Sequence, residues 1–228
     1  MFRSRIRNLV IPQMEHSRLA GTIAALWGND NFDKPAFNFV SFIAGVTLHD
    51  HGHGYFDMDD IGAMSPEEEL DSMRLLVDHH LDNPIVDTVA HFHILRLLHL
   101  DNVWRQLIEE CEHQVAAGIA ETHISREHYE WANRITWLCD LASFGFCFEE
   151  PMQAEVEVSQ RIDQDDTVMV SYRIEREGKI VLDPWPLRVD SYEGFILGYD
   201  ADGYPDELKP VMVPYTFSKQ LTAMQIQD

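Results

Sequence analysis

The stretch AFNFVSFIAGVTLHDHGHG, Ala36 to Gly54, decides how the fold is read. From Ala36 to Leu48 it carries Phe37, Phe39, Phe42, Ile43, Val46 and Leu48 and no charge. A helix that is apolar nearly all round is predicted to be buried on most of its faces. It ends in His49-Asp50, and Gly52 and Gly54 then break it. An imidazole and a carboxylate are thereby set side by side at the edge of the core. Burying an unpaired carboxylate costs on the order of several kcal/mol. A divalent cation would remove that cost, and this pair of ligand types suits Fe, Mn, Zn or Ni.

Helical patterning extends to both sides of this stretch. A helix is predicted from about Pro12 to Trp27, with proline at its first position, Gly28-Asn29 as its stop, and a stripe of Met14, Leu19, Ile23 and Leu26. His16 lies inside it. Ser65-Pro66-Glu67-Glu68 supplies a cap, a first-turn proline and acids against the helix dipole, opening a helix that reaches His79-His80. Asn83-Pro84 opens the next, to about His99, and Asp101 is expected to cap another, to about Glu121. Ser125 starts the last, to about Phe148. Within it Asp140 is flanked by Trp137, Leu138, Cys139, Leu141 and Ala142, so the acid is expected to be buried and partnered.

After Pro151 the pattern changes to short alternating runs. Strands are predicted at 154–160, 167–175 and 180–182, with a turn at Glu177-Gly178-Lys179, and again at 187–199 and 211–217. The expected fold is mainly α. A bundle of about six helices over 1–150 forms the metal-binding domain, and 151–228 forms a small antiparallel β subdomain.

Composition narrows the functional classes. The 228 residues carry a net charge of -22, from 17 basic and 39 acidic side chains, which disfavours nucleic acid as a partner. No apolar run of about 18 residues exists, so no membrane association is expected. The basic Met1–Arg7 segment is followed by Pro12 and Gln13 rather than an apolar run, so no secretory signal is expected. Three cysteines without CxxC spacing fit reduced thiols in a cytoplasm. Of the 12 histidines, eight fall between His49 and His99. Walker, GxGxxG, GxSxG and HExxH motifs are absent.

The order of His16, then His49-Asp50, then Asp140 on successive helices resembles the HD-domain superfamily of metal-dependent phosphohydrolases. Within or near it, the chain looks closest to a bacterial HD-like family of unknown function. The segments that carry the resemblance are Gln13-Met14-Glu15-His16, Leu48-His49-Asp50-His51-Gly52, Asp140-Leu141-Ala142-Ser143 and Leu182-Asp183-Pro184-Trp185-Pro186. The resemblance implies that His16, His49, Asp50 and Asp140 bind a divalent metal. Some relatives hold a second ion with histidines from intervening helices. The candidates are His79, His80, His91 and His93; residues two apart on a helix point apart, so only one of His91 and His93 can face the site, and His93 is preferred because it aligns with Val89 and Leu97, with His80 beside it. One or two ions (Fe, Mn, Zn or Ni) are therefore expected, with Asp50 anchoring them and His51 or His53 as general acid/base.

The implied activity is hydrolysis of a phosphoester by metal-activated water, on a small-molecule substrate. The sequence departs from the pattern in lacking a basic residue beside Asp50. Two alternatives stand: a di-iron oxygenase attacking a C–H or C–P bond, and a non-catalytic scaffold stabilised by metal. A homo-oligomer is compatible with all three.

Overall fold

Two short strands, β1 (Phe2–Arg3) and β2 (Leu9–Ile11), precede the first helix, α1 (Gln13–Leu26). Pro12 caps α1 in an extended conformation, and Gly28, at φ 101°, turns the chain away after it. Helix α2 (Phe39–Thr47) starts where Asn38 Oδ1 accepts the Ser41 N–H at 2.9 Å. A single 3-10 turn, His51–His53, follows it. The structure is a computed structural model that describes residues 1–219, except Phe56, Asn102, Asp165 and the side chain of Asp101. The expected cap at Asp101 lies outside the described residues.

Four more helices complete the helical layer. Helix α3 (Pro66–Asp78) opens with a reciprocal capping box. The Ser65 N–H donates to Glu68 Oε2 at 2.7 Å, and the Glu68 N–H donates to Ser65 Oγ at 3.3 Å. Helix α4 (Pro84–Asp101) starts at Asn83, whose Oδ1 accepts from the Ile85 and Val86 N–H groups. Then come α5 (Arg105–Thr122) and α6 (Arg126–Cys147), the latter capped by Ser125. Strands β3 (Met152–Ser159), β4 (Thr167–Ile174), β5 (Lys179–Asp183), β6 (Ser191–Asp200) and β7 (Pro210–Ser218) close the described chain.

These strands do not make an appendage of their own. One seven-stranded sheet runs in the order β1-β2-β6-β7-β5-β4-β3 and takes in both N-terminal strands. Its pairs are antiparallel except β5 with β7, which run parallel through Lys179↔Thr216 and Ile180↔Phe217. Helix α6 packs on β3 and β4, and α1 packs on β6. A single hydrophobic core therefore mixes helix residues such as Leu19, Leu98 and Leu138 with strand residues such as Val158, Ile180 and Phe217.

The mainly α, HD-like bundle expected from the sequence is corrected by this architecture. Among the described residues helix makes up 46% and strand 23%, in an α/β fold whose mixed sheet curls into a half-barrel. The description all-α falls with it. Strands of two and three residues are too short to show an alternating pattern, so β1 and β2 left no signal. The parallel β5–β7 pair joins residues far apart in sequence, which no local pattern encodes.

Helix α2 also differs from expectation. Only Phe42, Gly45 and Val46 are buried, while Val40 is 75% exposed. One face packs on α1 and α4, and the other looks outward. Gly45 permits the close crossing with α4, because a Cβ there would lie 2.6 Å from Val89 Cβ. No helix among the described residues is long and apolar enough to cross a membrane.

Candidate metal centre

Four helical elements converge on one buried cluster. Helix α1 delivers His16, the residues just beyond α2 deliver His49 and Asp50, α4 delivers His93, and α6 delivers Asp140. All five are at most 6% exposed. His16 Nε2 lies 3.0 Å from Asp140 Oδ1 and 3.5 Å from Asp50 Oδ2. His49 Nε2 lies 3.3 Å and 3.4 Å from the same two oxygens.

The far side of each ring fixes what these nitrogens offer. Helix α2 ends by leaving carbonyls without intrahelical donors. The Val46 carbonyl is one of them, and it accepts the His49 Nδ1 proton at 2.7 Å. Ser143, one turn beyond Asp140 on α6, donates its hydroxyl proton to the Asp140 carbonyl at 2.9 Å. Its oxygen is then left to accept the His16 Nδ1 proton, also at 2.9 Å. Both neutral imidazoles therefore turn an Nε2 lone pair toward the carboxylates. Ser17 Oγ donates to Asp50 Oδ2 at 3.2 Å and leaves the second Asp50 oxygen to its neighbours.

Lone pairs facing carboxylate oxygens repel unless a proton or a cation lies between them. In the ion-free protein a proton does this work. Burial opposes charging His49, but Asp50 and Asp140 outweigh it and hold its pKa at about 9. Burial would raise Asp50 and Asp140, yet the imidazoles around each lower both, Asp140 well below the usual range. The geometry also fits a metal. Ligand atoms about 2.0–2.2 Å from an ion stand about 2.8–3.6 Å apart along the edges of octahedral or tetrahedral arrangements. The four nitrogen–oxygen separations, 3.0 to 3.5 Å, fall in that range, and the ligand atoms of His16, His49 and Asp140 all lie within 4.8 Å of one another, a group that leaves Asp50 at its edge. His49 Nε2 has no aligned hydrogen bond despite these neighbours.

His93 stands beside the cluster, its ring 4.7 Å from that of His49 and its Nε2 3.8 Å from Asp140 Oδ2. Both of its nitrogens are buried without hydrogen-bond partners. Burial pushes its pKa down to about 4, against the pull of Asp140. His80 does not join this group. It is exposed on the α3–α4 connection and meets Asp87 at 3.3 Å, beside His91. His91 sets Nδ1 2.9 Å from the Asp87 carbonyl and Nε2 3.2 Å from the Val77 carbonyl, tying α4 to α3, and with His80 and Asp87 it forms a second, more exposed group whose ligand atoms lie within 4.8 Å of one another.

A cavity of about 340 Å³ opens on the cluster. His16, Asp50, Asp140 and His53 line it. His51 does not, and its ring packs against His79 at 4.9 Å. Of the two histidines expected as acid/base, only His53 faces the cavity. Burial lowers its pKa, against the pull of Asp50. Gly52 seats this 3-10 turn on α3, since a Cβ there would lie 2.5 Å from the Leu75 carbonyl oxygen. Sequence reasoning gave no role to Ser17 or Ser143. The available signal was polarity on the buried face of a helix next to a ligand: Ser17 adjoins His16, and Ser143 is three residues past Asp140.

Residues 3–68 match the family DUF3891, described as a protein of unknown function. The chain is similar to that family over less than a third of its length, a segment that holds His16, His49, Asp50 and His53 but not Asp140. No curated protein and no solved structure matches the chain. The resemblance to HD domains is thus corrected. The match is to a family of unknown function, nothing points to an HD domain, and the helices pack on a seven-stranded curled sheet.

Proposed function

We propose that the chain is a metal-dependent hydrolase whose ion is held by His16, His49, Asp50 and Asp140. The observation that carries this reading is the set of four nitrogen–oxygen separations between 3.0 and 3.5 Å, with both imidazoles locked in the ligating tautomer. A divalent ion in such a site lowers the pKa of a coordinated water to about 7. Asp50 and Asp140 offset the ion's charge, and Ser17, Ser143 and the Val46 carbonyl orient the ligands. His53, at the cavity wall, accepts a proton from the attacking water and returns it to the leaving group. The open cavity supports catalysis over a closed scaffold, because structural sites are enclosed by their ligands.

The phosphoester substrate finds no support in the lining, which contains neither lysine nor arginine. A second reading, a di-iron centre that activates dioxygen, is favoured by His93. Its two unpartnered nitrogens beside Asp140 Oδ2 would suit a second ion. Free, buried Cys111, Cys139 and Cys147 support a cytoplasmic setting.

Metal analysis of the purified protein, aerobic and anaerobic, tests both readings. One equivalent of Zn or Mn in the wild type, and none in Asp50→Ala, is the expected result. Two equivalents of iron with oxygen-dependent spectra would favour the oxygenase. Full occupancy in Asp50→Ala would remove the ligand assignment.

A further inference from the structure

The walls of the cavity above the metal centre carry information on the substrate, given the hydrolase reading on which this inference rests. The cavity floor is polar: His16, Asp50, His53 and Asp140. Its sides are apolar, with Met73 from α3, Leu97 and Leu100 from α4, and Trp137 from α6. Beyond the floor its ionisable side chain is Glu69, an exposed acid on α3. Arg96 precedes Leu97 in sequence but lays its guanidinium over the Trp137 ring, 5.7 Å from the centroid, and is not part of the lining.

Apart from the ion itself, a phosphate entering this space would meet no lysine or arginine in the lining to replace the hydration it leaves behind. It would also approach a protein of net charge -22. An uncharged chain meets the opposite balance. Each methylene moved from water onto such walls raises affinity about fourfold. The volume, about 340 Å³, lies near the small end of the ~300–1,000 Å³ range of small-molecule sites.

We infer that the substrate is an uncharged carboxylic ester with an apolar acyl arm. The arm lies along Met73, Leu97 and Leu100, and the ester carbonyl reaches the polar floor. The water oxygen bonds to the acyl carbon, and the bond from that carbon to the alkoxy oxygen breaks. The proton that His53 takes from water goes to the departing oxygen. One ester and one water give one carboxylic acid and one alcohol, and nothing is oxidised or reduced.

The experiment begins with metal content, because an ion-free wild type overturns the hydrolase reading itself, before any substrate is tried. The metal-loaded protein is then titrated calorimetrically with octanohydroxamate, acetohydroxamate and inorganic phosphate. Octanohydroxamate is expected to bind more than about thirtyfold tighter than acetohydroxamate, and phosphate weakest of the three. The p-nitrophenyl octanoate ester should surpass the acetate by about tenfold or more in kcat/KM, with p-nitrophenyl phosphate slowest. Leu100, 62% exposed at the cavity mouth, tolerates charge without disturbing the core. Leu100→Lys should weaken octanohydroxamate and strengthen phosphate. An ion-loaded protein that binds the two hydroxamates alike, or binds phosphate tightest, overturns the ester assignment and leaves the metal centre standing.

Discussion

Ser143 and His16 are locked together at 2.9 Å, with Ser143 also bonded to the carbonyl of Asp140. The helix that supplies one carboxylate therefore also sets the tautomer of an imidazole brought in by another helix. Ser143→Ala should free that ring to rotate and flip. Ligand-orienting partners are worth about 10–100-fold in metal affinity, and a loss of that size is expected in a competition titration with a chelator. Circular dichroism should be unchanged, since the hydroxyl makes no backbone-ladder bond. Wild-type affinity in Ser143→Ala would show that the hydroxyl does not orient His16.

The ion-free protein should lose stability toward alkaline pH. The folded pKa of His49, about 9, lies above its ordinary 6.5. Its contribution is then fully present below pH 6.5 and disappears as pH rises through 9. Asp50 and Asp140 are shifted the other way, so their contributions hold above the ordinary 3.8 and are lost as pH falls through their lowered values. Thermal midpoints of chelator-treated protein should therefore peak between those limits and fall from pH 6.5 to 9. Metal affinity should climb about tenfold per pH unit over the same window, as the ion displaces one proton. A flat midpoint from pH 6.5 to 9 would contradict the protonated His49.

Gly52→Ala tests whether the 3-10 turn is tightly seated. The added methyl would stand 2.5 Å from the Leu75 carbonyl oxygen, a backbone atom that cannot swing aside. Overpacking of this kind costs about 1–3 kcal/mol. Urea unfolding should show that loss, together with weaker metal binding as His49 and Asp50 are displaced. An alanine variant as stable as the wild type would mean the turn has room to move.

Ser65→Ala separates fold stability from the centre. Removing the cap of α3 should cost about 1 kcal/mol in chemical denaturation. Because α3 supplies none of the four proposed ligands, metal affinity measured well below the transition should stay within twofold or so of wild type. A parallel fall in affinity would make α3 part of the centre.

The sequence by itself determined the local pieces. Ser65, Asn83 and Ser125 announced helix starts through the hydrogen bonds their side chains can make within three residues, and the alternation after Pro151 announced strands for the same local reason. It also singled out His49-Asp50 and Asp140, because polar side chains in apolar helical surroundings need partners, and His16 through its place in the order of these motifs along the chain. What it missed depends on contacts between distant segments. Strand β2 finds its place only against β6, with β1 paired to its other edge, and the parallel β5–β7 pair joins residues more than thirty positions apart. His80 and His93 are alike as sequence candidates, yet one is exposed beside Asp87 and the other buried beside Asp140. That separation arises because the α3–α4 connection carrying His80 stays at the surface while the rest of the fold covers the face of α4 that carries His93, and no residue near either histidine carries that information.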